Sequence, residues 1–124
     1  MIDMDGLKKI NDTYGHIAGN NALNIMAGAL KASVQSSDLL VRYAGDEFLI
    51  LSYITDSEYW DGFSDRLNQK MAELAEKQTL SYKIGASVGY SVCTQNTYEA
   101  FVECYKTADQ IMYQNKQERK SRNV

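Results

Sequence analysis

The sequence predicts an α+β fold, a central and mostly antiparallel sheet flanked by helices. Three observations predict it. Leu39-Leu40-Val41 and Leu49-Ile50-Leu51 bracket a small corner and read as a β-hairpin, which puts antiparallel pairing inside the sheet. Segments of helical periodicity alternate with extended ones along the chain. Proline is absent, so only glycines and capping residues punctuate the helices.

The elements follow in order. The start, 1–5, is extended, and Asp3 and Asp5 alternate with Ile2 and Met4 so that both acids project from one face. Gly6 ends this strand, and a short helix over 6–14 closes at Gly15, a suitable C′ residue. A second helix is expected over 20–35, capped by Asn20 or Asn21, with Leu23, Met26, Ala27, Leu30 and Val34 at helical spacing. The hairpin comes next, with its corner at Ala44-Gly45. Residues 57–77 place Trp60, Phe63, Leu67, Met71 and Leu74 on one helical stripe. Residues 80–93 read as extended, with Gly85 and Gly89 as bends or bulges. A last helix over 96–116 turns Phe101, Tyr105, Ala108 and Met112 inward, before a basic, polar tail from Lys116 to Val124.

Composition narrows the function. A length of 124 residues is one domain with room for a core, and 44% hydrophobic with 23% charged residues is ordinary for a globular protein. The net charge of −3 offers no general attraction for nucleic acid or an anionic membrane. There is neither an apolar run of about 18 residues nor a signal-peptide pattern, so a cytoplasmic setting without membrane contact is expected. Cys93 and Cys104 are too few for a disulfide framework or a four-ligand metal site. The sole histidine, His16, follows Gly15 in a turn and reads as structural.

Two acidic features carry chemistry. Asp46 and Glu47 sit side by side at the hairpin tip with no neutralising lysine, and Asp3 and Asp5 lie at a strand end just before a helix start. Carboxylates beside a helix N-terminus suit Mg²⁺ and phosphate: Mg²⁺ takes hard oxygens from one or two carboxylates plus substrate phosphates, and the first amides of a helix bind anions.

At these residues the chain resembles the GGDEF-domain family. Asp3-Met4-Asp5-Gly6-Leu7-Lys8-Lys9-Ile10-Asn11-Asp12-Thr13-Tyr14-Gly15-His16 is similar to its opening signature, and Arg42-Tyr43-Ala44-Gly45-Asp46-Glu47-Phe48 to its signature hairpin. Ser87-Val88-Gly89 and Ala108-Asp109-Gln110-Ile111-Met112-Tyr113-Gln114-Asn115-Lys116 resemble later blocks, in the right order and spacing. The resemblance implies a nucleotidyl-cyclase, palm-like fold. It also implies a diguanylate cyclase that condenses two GTP into cyclic di-GMP, a bacterial second messenger, releasing two diphosphates with Mg²⁺ or Mn²⁺. By the same likeness Asp3, the Met4 carbonyl and Asp46 would hold metal, and Asp46 or Glu47 would help deprotonate the attacking 3′-hydroxyl. Gly6, Leu7 and Lys8 would hold the β- and γ-phosphates, Asn11 and Asn20 would face guanine, and Lys116 and Lys120 would be the late phosphate-binding bases. Each domain is half of a catalytic pair, so a second copy is implied as partner, brought up by an upstream sensory domain.

The departures from that pattern matter as much. Ala44 replaces a usual Gly, which in a type I′ turn costs roughly 1 kcal/mol. Asn20 replaces the usual Asp, so one guanine donor loses its acceptor, at about 1–3 kcal/mol. A relaxed purine preference, or a degenerate GTP-binding regulatory module, is the alternative this opens. Gln35-Ser36-Ser37-Asp38 lacks the arginine of the family's product-feedback site. Arg119 fills the place of a usual Gly, and Lys120 that of a commoner Arg. Finally, the single domain over 1–124 is expected to lack the usual N-terminal helix and most of the first strand.

Overall fold

The computed structural model describes residues 1–122. Its elements are β1 (Ile2–Met4), α1 (Leu7–Tyr14), α2 (His16–Ser33), β2 (Leu39–Ala44), β3 (Glu47–Leu51), α3 (Ser57–Asp61), α4 (Phe63–Lys77), β4 (Ala86–Val88) and α5 (Tyr98–Arg122). The strands form one sheet in the order β2-β3-β1-β4, with every pairing antiparallel. The α+β expectation therefore holds.

Alternation along β1 decides what each face of the sheet does. Ile2 and Met4 are buried in the main core with Ile25, Met26 and Leu30 of α2 and Phe63, Leu67 and Met71 of α4. Asp3, between them, projects to the other face, where Lys116 of α5 meets it. On that side Met1, Ala108 and Met112 make a second, smaller cluster.

Several boundaries differ from the sequence expectation, each for a local reason. α2 begins at His16, because Gly15 (φ 92°, ψ 167°) redirects the chain within a single residue. Asn20 and Asn21 consequently lie inside the helix and do not cap it. The 57–77 helix is broken at Gly62, with Asp56 capping α3 by accepting from the Glu58 amide at 3.0 Å. Of 80–93, only Ala86–Val88 is strand, matching the three β1 residues it pairs with. α5 continues beyond 116 to Arg122, carried by Gln, Glu, Lys and Arg, all good helix formers. The hairpin corner is Gly45-Asp46, since Ala44 pairs with Glu47 and a bulge between Arg42 and Ala44 takes up the extra residue. Ala44 has no positive φ, so the type I′ cost does not arise. Arg42 braces the corner by donating from Nε and Nη2 to the Gly45 carbonyl at 3.0 and 2.6 Å.

Candidate functional site

β1 sits between β3 and β4, and Asp3 is opposite Glu47 on one side and Ser87 on the other. Directly paired residues project to the same face, so Glu47 shares the face of Asp3. The Met4 amide donates to the Asp46 carbonyl at 3.2 Å, which draws the hairpin tip onto the end of β1. Asp46 thereby lies close enough to Asp3 to push its pKa up.

The electrostatics are those of a site short of positive charge. Burial pushes the Asp3 carboxyl up to about 6, the Lys116 ammonium pulls it down, and the Asp46 carboxylate pushes it up again. Asp3 Oδ2 accepts from Lys116 Nζ at 2.7 Å, and the same ammonium donates to the Met4 carbonyl at 3.0 Å. Asp3 Oδ1 is buried with no hydrogen-bond partner among the described residues. Two of the expected metal ligands thus already grasp a cation, and an unpartnered carboxylate oxygen lies beside them. That donor set fits a hard divalent ion. Among the described residues no three His, Cys, Asp or Glu side chains converge. An ion here would rely on Asp3, Asp46, the Met4 carbonyl and substrate phosphates.

One residue beyond Asp5, α1 opens at Gly6, which is left-handed (φ 66°, ψ 24°), with no side chain capping the helix. The amides of Gly6, Leu7 and Lys8 are therefore open to an anion, and the Lys8 side chain is exposed. Asn11 is half-buried on α1, and its amide rests on Gly19 of α2, where any Cβ would collide with it. Asn20, next along α2, is exposed. The structure gathers Asp3, Met4, Asp46, Glu47 and Lys116. It sets Gly6, Leu7 and Lys8 beside them and Asn11 and Asn20 further along α1 and α2. Lys120 is exposed on α5, one turn past Lys116.

Sequence reasoning missed two supports. Arg119 points inward, its Nε 2.7 Å from Asp5 Oδ2; its i+3 spacing from Lys116 was the available signal. Tyr43 of the hairpin packs on Tyr105 of α5 with ring centroids 5.7 Å apart. The hydrogen bond with Tyr43, then burial, pushes the Tyr105 hydroxyl up to about 12. An apolar cleft of about 180 Å³ lined by Met1, Leu51, Trp60, Tyr90 and Phe101 contains none of these acids.

Fold and site together define an α+β domain whose sheet carries clustered carboxylates beside an uncapped helix start. The chain belongs to the family "Diguanylate cyclase, GGDEF domain", whose profile matches residues 1–122. It is similar to the probable diguanylate cyclase DgcJ of Escherichia coli, 34% identical over 98% of this chain and 23% of DgcJ. It is also similar to diguanylate cyclase A of Treponema denticola, 30% identical over 98% of this chain and 33% of that protein. Among solved structures it resembles diguanylate cyclase SiaD of Pseudomonas aeruginosa, crystallised with its activator SiaC. That likeness has a TM-score of 0.69 and 27% identity over 94% of this chain and 45% of SiaD. The chain thus spans a third or less of the length of the curated relatives it matches. Among the described residues no helix is long and apolar enough to cross a membrane.

Proposed function

We propose that this chain is a diguanylate cyclase domain that, in pairs, joins two GTP into cyclic di-GMP and releases two diphosphates. The observation that carries this reading is the meeting of Asp3, Asp46 and the Met4 carbonyl just before an uncapped helix start.

In this reading the Gly6 and Leu7 amides, with Lys8, hold the β- and γ-phosphates. Asn11 faces the purine from α1 and Asn20 from α2. Lys116 turns from Asp3 and Met4 toward the phosphates as they arrive, because three ammonium donors can be shared among anions. Asp3, Asp46 and the Met4 carbonyl would hold Mg²⁺ or Mn²⁺, which would supply Lewis acidity for phosphoryl transfer. Asp46 or Glu47 accepts the proton of the 3′-hydroxyl. A 3′-O–P bond forms as the bond to the diphosphate breaks, and the same exchange in the other direction closes the ring. Each domain brings one GTP, so a second copy completes the reaction, and rate per domain rises with protein concentration. In the full-length protein an upstream sensory domain brings the two copies together.

Incubation with GTP and Mg²⁺, with products resolved by mass, tests this. Cyclic di-GMP with diphosphate is expected, and Asp46→Asn abolishes both. GTP binding without product at any protein concentration would make the chain a binding module, and absence of binding would overturn the reading. A parallel reaction with GTP and ATP reads the purine preference that Asn20 leaves open.

A further inference from the structure

We propose that Arg119 is a positioning residue that fixes α5 so that Lys116 lands on Asp3 and the Met4 carbonyl. This rests on the reading of those residues as a nucleotide site. The guanidinium spans two anchors: Nε donates to Asp5 Oδ2 at 2.7 Å and Nη2 to Asn68 Oδ1 at 3.1 Å. Both anchors are themselves immobilised. Asp5 Oδ1 accepts from the fully buried Ser87 hydroxyl at 2.6 Å, and the Asp5 amide donates to the Gly85 carbonyl at 2.8 Å. Asn68 closes a ring on β4, donating to the Ala86 carbonyl at 2.9 Å and accepting from the Ala86 amide at 2.8 Å.

One arginine therefore joins α5, α4, β4 and the turn that leads into Gly6. The space it uses is specific. A Cβ on Gly85 would lie 2.7 Å from Arg119 Nη2 and 3.1 Å from Asn68 Oδ1, so the guanidinium occupies room that only glycine leaves. One turn earlier on α5, Asn115 donates to the Val88 carbonyl at 2.7 Å. Asn115 tethers the helix, and Arg119 stops it rotating. Lys116, between the two, has its direction set by both. A lysine at 119 could reach Asp5 but could not span the fork to Asn68.

A double-mutant cycle on GTP affinity, measured with Mg²⁺ by calorimetry, tests the proposal. Arg119→Met should weaken GTP about tenfold, as loss of an outer supporting contact does. In a Lys116→Met background the same change should cost less than about twofold, because the residue it orients is gone. Equal losses in the two backgrounds would reduce Arg119 to general stability and overturn the proposal. If the wild-type chain fails to bind GTP, the nucleotide-site reading falls and this proposal with it; if wild type binds and the losses are additive, only the role of Arg119 falls. Should Lys116→Met fail to fold, hydrogen exchange decides. Arg119→Met must then speed exchange from Lys116 onward and at Asp5–Leu7 while leaving Phe63–Lys77 protected. Uniform acceleration across all helices would overturn it.

Discussion

Replacing Asp3 by Asn should stabilise the nucleotide-free, metal-free protein while removing its function. The Asp3 carboxyl rises from 3.8 to about 6, chiefly through burial. Its side chain is only 13% exposed, so water screens it little. A rise of that size, at 1.36 kcal/mol per pKa unit, corresponds to about 3 kcal/mol. The sign follows from linkage: the folded protein prefers the protonated acid, so ionisation works against folding. Below pH 3.8 wild type carries the full contribution, and it is lost as pH rises through about 6. Asn mimics the protonated acid at every pH. Denaturant unfolding in chelator should therefore show the two proteins nearly equal near pH 4. A gap then opens toward about 3 kcal/mol at pH 8 in favour of Asp3→Asn, or about 10 °C in Tm for a domain of this size. Excess Mn²⁺ should narrow the gap by stabilising wild type alone. If Asp3→Asn is less stable at pH 8, the Lys116 ion pair outweighs the burial cost and the charge-starved site is refuted.

Gly19→Ala should push the Asn11 amide off α2 and weaken GTP by about 1–3 kcal/mol. Inorganic diphosphate binding should be unchanged; calorimetry with both ligands checks this, and equal losses would mean that Asn11 does not face the base. Thr79, the only non-glycine at positive φ among the described residues (φ 51°), carries a β-branched side chain where glycine is at ease. Thr79→Gly should raise the unfolding free energy by up to about 1 kcal/mol in denaturant titration. Asp38 closes its own turn, accepting at 2.9 Å from the Gln35 amide, and no arginine stands at the position the feedback motif requires. Added cyclic di-GMP should leave the initial rate unchanged; a drop abolished by Asp38→Ala would contradict this.

The parts legible in the sequence were those set by short-range rules. Alternation of Asp3 with Ile2 and Met4 gives the face of β1, although the strand stops at Met4 and Asp5 falls in the turn; the helical stripe of Phe63, Leu67 and Met71 is buried. The hairpin was legible as a hairpin, but its corner moved by one residue because the bulge near Tyr43 is a property of the pairing. α2 starts four residues before the position that the Asn20-Asn21 capping signal predicts, because Gly15 alone redirects the chain. Residues 80–93 have strand composition, yet a strand requires a partner, and β1 offers one along only three residues. The Arg119–Asn68 contact joins residues 51 apart, and Lys116 meets Asp3 across 113. Such contacts follow from tertiary packing, which residue spacing does not encode. The resemblance pointed to Lys116, and i+3 spacing puts Arg119 on its face; only the fold revealed that Arg119 meets Asp5 and Asn68 there.

The cation cradle at the end of β1 is tested most directly by anomalous diffraction from crystals grown with Mn²⁺ and a non-hydrolysable GTP analogue. Manganese should appear within about 2.5 Å of an Asp3 carboxylate oxygen and the Met4 carbonyl, with Asp46 adjoining and Lys116 turned to the phosphates. A nucleotide bound with its manganese elsewhere, and Lys116 still on Asp3, would contradict it.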